Sequence, residues 1–203
     1  MIRTKYSNIL VLGAQGSGKD TQAELLAPRI HGAVSIGMSN VFRHFLQHDP
    51  DFLGDEVERM AEGQLVTCGP TMECLRSYTL EQIPQEVAPW IFIGVPRTPK
   101  QALVFRDNLP EYRRLWDTVA IIFKLDPAIA LERCLARAKK DEAKGRRRVD
   151  DTPVKIGNRL SDYFVHEGEV YNALEQSQIT CIEVDARNSP EHIHDTVIDR
   201  IMQ

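Results

Sequence analysis

Five apolar runs of strand length recur along the chain: Asn8-Ile-Leu-Val-Leu12, Ala33-Val-Ser-Ile36, Trp90-Ile-Phe-Ile93, Thr118-Val-Ala-Ile-Ile-Phe-Lys-Leu125 and Ile179-Thr-Cys-Ile-Glu-Val184. The stretches between them are helical in pattern, and three carry a start signal. Asp126-Pro127, Thr152-Pro153 and Ser189-Pro190 each set a capping side chain before a proline at the first helical position, where the missing N–H costs nothing. The last helix then shows Ile193, Val197 and Ile201 four apart, a stripe that should face a sheet. Strands that are apolar throughout and alternate with helices predict an α/β fold, a five-stranded parallel sheet covered by helices on both faces.

Two stretches break the alternation. Residues 37–82 hold no convincing strand, only helical patterns interrupted at Asp49-Pro50, Gly63 and Gly69-Pro70. Residues 138–151 are charged and nearly free of large apolar side chains. Both read as appendages on one core, with no internal repeat and no linker between independent domains.

Length and composition narrow the function classes. A chain of 203 residues permits one ordinary domain with a substantial core. The 25 Lys+Arg against 29 Asp+Glu give a net charge of -4, so nothing global draws the chain onto nucleic acid, and any anion site must be local. The apolar stretch from Ile9 to Leu12 is too short for a signal core or a membrane span, so a cytoplasmic location is expected. Cys68, Cys74, Cys134 and Cys181 form no Cys-x-x-Cys pair, and His192 and His194 are the only close histidine couple, which reads as buried thiols and solvated histidines rather than a metal site.

The first strand ends in Gly13-Ala-Gln-Gly16-Ser17-Gly18-Lys19-Asp20-Thr21-Gln22, followed by a helical pattern through Leu25, Leu26 and Ile30. Strand, glycine loop, lysine and helix form the context of a phosphate-binding loop. Glycines let successive N–H groups curl around an anion, the helix amino terminus adds its positive end, and Lys19 supplies a mobile full charge. A triphosphate is the natural guest.

Asp20, not Ser or Thr, follows the lysine, and Thr21-Gln22 comes one place later. That shift resembles the Gly-Lys-Gly-Thr-Gln loop of adenylate kinases and related nucleoside monophosphate kinases, and further motifs agree in order and spacing. Gly37-Met38-Ser39-Asn40-Val41-Phe42-Arg43 is similar to the family's Ser-Thr-Gly-Asp-x-x-Arg, keeping the arginine but not the threonine or the acid. Gly63-Gln64-Leu65-Val66 is similar to Gly-x-Leu-Val, and Ile93-Gly94-Val95-Pro96-Arg97-Thr98 to Asp-Gly-Phe-Pro-Arg-Thr. Gln101 stands where the family places a glutamine that reads the acceptor adenine. Arg133 and Arg137 resemble the arginines over the donor, and Arg148-Val149-Asp150-Asp151 with Arg159 resembles the segment that closes the lid.

The resemblance implies an ATP-dependent, Mg2+-dependent nucleoside monophosphate kinase in a single domain. Its core would comprise 1–36, 83–136 and 152–203, its acceptor-binding lobe about 37–82, and its short, zinc-free lid about 137–151. By the same resemblance Gly13, Gly16, Ser17, Gly18, Lys19, Asp20, Thr21, Arg133 and Arg137 bind ATP. Met38, Arg43, Gln64, Val66, Gly94, Arg97 and Gln101 bind the acceptor, while Lys19, Arg97, Arg137, Arg148 and Arg159 promote transfer. AMP is the expected acceptor because of Gln101. A UMP/CMP-type kinase is the alternative because Met38 replaces a threonine, and a weakly active nucleotide-binding protein is another because Asn40 and Ile93 replace both acids that support magnesium. Asp20 is then the candidate to ligate Mg2+, directly or through water. A monomer without membrane or nucleic-acid partner is expected.

Overall fold

The computed structural model describes residues 1–84, 89–112, 117–145 and 151–202, with backbone alone over 108–112. In chain order the elements are β1 (Asn8–Gly13), α1 (Lys19–Leu26), β2 (Val34–Gly37), α2 (Met38–His48), α3 (Glu56–Ala61), α4 (Cys68–Gln82), β3 (Trp90–Ile93), α5 (Pro99–Tyr112), β4 (Thr118–Lys124), α6 (Pro127–Ala143), α7 (Pro153–Gln176), β5 (Thr180–Asp185) and α8 (Pro190–Ile201). The strands form one sheet in the order β2-β3-β1-β4-β5, and every neighbouring pair is parallel. This is the P-loop type of α/β fold that the pattern predicts.

Alternation along the strands builds two apolar layers. Ile9 and Val11 of β1 point into a layer filled by α1, α6 and α8, whereas Leu10 and Leu12 point into the opposite layer, filled by α2, α4 and α5. The long helix α7 serves both: Ile156 and Leu160 join the first layer, and Val170, Ala173 and Leu174 join the second. The stripe Ile193, Val197 and Ile201 is buried, as its spacing requires.

All three capped starts form. Asp126 accepts from the Ala128 amide at 2.8 Å, Thr152 from Lys155 at 3.3 Å and Ser189 from His192 at 3.3 Å. One boundary differs from the sequence reading. Gly69-Pro70, expected as a break, lies inside the first turn of α4, where proline gives up an N–H that has no helical acceptor in any case. The region 137–151, expected as the lid, begins within α6, whose last turns are residues 137–143. A charged sequence continues a helix readily once a buried stripe, here Ala130, Cys134 and Ala138, anchors it.

β1 lies at the middle of the sheet, with β3 on one side and β4 on the other. β2 and β3 lie to one side of β1 and β4 and β5 to the other, so a crevice opens at the carboxyl ends of the central strands. No helix among the described residues is long and apolar enough to cross a membrane.

Candidate active site

The loop after β1 depends on glycine at two positions for different reasons. Gly16 has φ +87°, and a Cβ there would stand 2.8 Å from the Ala130 carbonyl oxygen of α6. Gly18, at φ +82°, caps α1 in the left-handed conformation with open space around it. The helix begins at Lys19, so the amides of its first turn have no intrahelical acceptor and face the loop. The Ser17 hydroxyl is buried and has no hydrogen-bond partner among the described residues.

Lys19 reaches back over this loop. Its Nζ lies 3.5 Å from the Ala14 carbonyl oxygen and 3.4 Å from Asp20 Oδ2, with side-chain exposures of 10% for the lysine and 69% for the aspartate. Burial pushes the Lys19 ammonium below its usual pKa, Asp20 opposes that shift, and the like charges of Arg97 and Arg137 add to it. For Asp20, partial burial pushes the carboxyl up, but Lys19, Arg97 and Arg137 outweigh it and hold the group below the ordinary value.

Arg97 enters from the loop after β3. Its backbone N–H donates to Gln101 Oε1 at 2.8 Å, and its Nε donates to the Gly94 carbonyl at 2.8 Å. A Cβ on Gly94 would stand 2.9 Å from an Arg97 guanidinium nitrogen, so glycine lets the arginine fold back against its own loop. Burial lowers the Arg97 pKa, Asp20 counters, and Arg159 pushes the same way as burial. Gln101 itself is only 2% exposed. Its Nε2 donates to Thr71 Oγ1 at 3.3 Å, which ties α5 to α4.

The third group comes from α6 and α7. Arg133 donates to the carbonyls of Ala186 at 2.9 Å and Gly16 at 3.5 Å, bridging the phosphate loop to the turn after β5. Asp151, whose side chain is fully buried, receives Arg159 at 3.0 Å and Arg137 at 3.5 Å. The Nε of Arg137 is buried with no hydrogen-bond partner among the described residues. Segments following β1, β3, β4 and β5 therefore border one crevice that holds more cations than anions. Such a place suits polyanions and the charge that moves between them.

The sequence of the whole chain bears out what this geometry resembles. The adenylate kinase of Thermosynechococcus vestitus is 30% identical over 196 residues, 95% of this chain and 96% of its own length. This chain belongs to the adenylate kinase family. The adenylate kinase of Azobacteroides pseudotrichonymphae is 28% identical over 196 residues, 96% of each chain, and that of Mycobacterium leprae 31% over 157 residues, 76% of this chain and 78% of its own. No family model matches the chain.

Within this adenylate kinase family member, the expected acceptor residues are spread more widely than the donor residues. Arg43 is exposed on α2 and donates to Asn40 Oδ1 at 2.8 Å, so the asparagine at the acid's position holds the arginine. Gln64 is exposed and donates to Glu62 at 3.0 Å, while Val66 is buried. Met38 is 2% exposed and packs in the second apolar layer, leaving almost no surface for a base. Ile93 packs against the first layer, and Thr21 is exposed in the first turn of α1. Arg148, expected to promote transfer, lies outside the described residues, as do its neighbours 146–150.

Two contacts escaped the sequence reading. Asp151 is visible in the Val149-Asp150-Asp151 motif, but nothing local says that it, buried, would join Arg137 of one helix to Arg159 of another. The second is Lys155, whose ammonium donates to the Ala61 carbonyl and whose Cβ would stand 3.1 Å from a Cβ on Gly63, so that α7 touches the segment after α3.

Proposed function

We propose that the protein transfers the terminal phosphoryl group of ATP to AMP, giving two ADP, by direct in-line displacement. The observation that carries this reading is the convergence of Lys19, Arg97, Arg137 and Arg159 at the mouth of the glycine loop, each within electrostatic reach of another. Phosphoryl transfer asks mainly for positioning and charge stabilisation, which planar guanidinium groups and a buried ammonium supply. No general base is needed, because a monophosphate with its second pKa near ~6 already presents a nucleophilic oxygen at neutral pH.

In this account the first-turn amides of α1, the loop glycines, Ser17 and Lys19 hold the donor phosphates, and Arg133 and Arg137 flank the donor. Arg43 and Arg97 hold the acceptor phosphate, and Arg148 and Arg159 complete the cluster when residues beyond α6 close over it. Closure excludes water from the charges, as the chemistry requires. The helical segment 37–82 is the acceptor lobe. Gln101 would read adenine with the N–H and lone pair that Thr71 and Arg97 leave unused, and its burial means that the α4 side of the crevice must move to admit the base.

Magnesium would accompany ATP. Asp20 and Thr21 offer a carboxylate and a hydroxyl, the hard oxygen donors that such an ion prefers. Among the described residues no group of three His, Cys, Asp or Glu could hold a metal. When bound it would neutralise charge on the donor phosphates. The reading also takes the protein as a cytoplasmic monomer. The absence of carboxylates at Asn40 and Ile93 favours a second reading, a nucleotide-binding protein of low turnover.

Steady-state ADP formation from ATP with AMP, CMP, UMP and GMP in competition tests the acceptor. The account expects AMP to give the highest kcat/KM, and a preference for a pyrimidine nucleotide would contradict it.

A further inference from the structure

The phosphate loop of this chain carries its own anion. Asp20 is the second residue of α1, and its Oδ2 stands 3.4 Å from Lys19 Nζ, with the lysine side chain 10% exposed and the aspartate 69%. The carboxylate thus lies on the solvent side of the buried ammonium, where an incoming polyphosphate must meet it. Asp151, the other carboxylate described at this crevice, is fully buried and held by Arg137 and Arg159. At the ends of β2 and β3, Asn40 is bound to Arg43 and Ile93 packs among apolar side chains.

We propose that Asp20 makes the donor site select the metal-complexed triphosphate over the free one. The inference rests on the reading of the loop as a triphosphate site. Before nucleotide arrives the carboxylate is the counter-ion of Lys19. A metal-free triphosphate must displace it from the lysine and then lie beside a like charge, a repulsion that solvent around the exposed carboxylate screens only in part at such short range. With a divalent cation on the triphosphate the encounter changes sign, because Asp20 then has a hard cation, or one of its waters, to ligate. A glycine at this position would lack both the repulsion and the ligand, and an asparagine would lack the repulsion and offer only an uncharged oxygen, so either would bind the two forms of the nucleotide more equally.

Titration calorimetry of the full chain with ATP in excess EDTA and with ATP in excess Mg2+, comparing wild type with Asp20→Asn and Asp20→Gly, tests this. The wild type should bind ATP at least about tenfold more tightly with Mg2+ than without, and the variants should shrink that ratio by about tenfold, chiefly by gaining affinity for metal-free ATP. Asp20 is exposed, so Asp20→Asn should melt within a few degrees of wild type; if Asp20→Gly fails to fold, Asp20→Asn alone decides. Equal ratios in wild type and folded variants, with ATP bound by each, overturn the selection by Asp20 and leave the kinase reading standing. Failure of the wild type to bind ATP under either condition overturns the triphosphate reading, and this inference with it.

Discussion

Asp151 shows how a single side chain can decide whether a cationic site folds at all. Arg137 and Arg159 project from different helices toward the same crevice, and each contributes a charge that would be costly to bury alone. The fully buried carboxylate between them, at 3.0 Å and 3.5 Å, offsets that cost. Removing one member of a buried ion cluster strands the others, so Asp151→Asn should destabilise the fold by about 3 kcal/mol, somewhat less where Arg137 reaches solvent. Urea unfolding of wild type and variant checks this, and a change under about 0.5 kcal/mol would show that the arginines do not rely on it. At this scale the sequence was legible where the chemistry is local. The loop glycines, Lys19 and Arg97 are read from contiguous motifs, because the turn that needs them is made of their own neighbours. Asp151 and the engagement of Gln101 by Thr71 were not legible, since both depend on how α4, α6 and α7 pack against the rest. The burial of Met38 was hidden for a similar reason: its position just after β2 suggests a ligand contact, but the first turn of α2 tucks it under the sheet.

Elements were more legible than residues. The five strands are short apolar runs, buried almost throughout in the central β1, β3 and β4 and only in part in the edge strands β2 and β5, and observed boundaries lie within a residue or so of the sequence reading. Helix starts were equally plain, because a cap followed by proline acts entirely within one turn. Thr152 caps α7, the helix that carries Arg159 and spans both apolar layers, by accepting from Lys155 at 3.3 Å. Thr152→Ala should therefore cost about 1 kcal/mol, read as a lower melting temperature and urea midpoint. Thr152→Ser should recover most of the loss. Where the sequence misled, it did so through a rule that holds only in helix interiors. A Gly-Pro pair stops a helix from within but not in its first turn.

At the scale of the molecule, the sheet order explains why so many separated motifs meet. With β1 in the centre, the phosphate loop opens between the segments that follow β3 and β4, and the turn after β5 and the helix after β2 reach the same edge. Alternation of strand and helix made a parallel sheet legible, but strand order is a property of crossovers and leaves no mark in any one run. The similarity to adenylate kinases likewise runs across nearly the whole chain. The central claim, that the crevice transfers a phosphoryl group between nucleotides, turns on the buried ammonium at its floor. It is tested most directly by measuring ADP formation from ATP and AMP, with Mg2+, by wild type and by Lys19→Met. The account predicts robust turnover by the wild type and a loss of at least about a thousandfold in kcat in the variant, with the melting temperature nearly unchanged. A variant that kept most of the wild-type rate, or a wild type that formed no ADP, would contradict it.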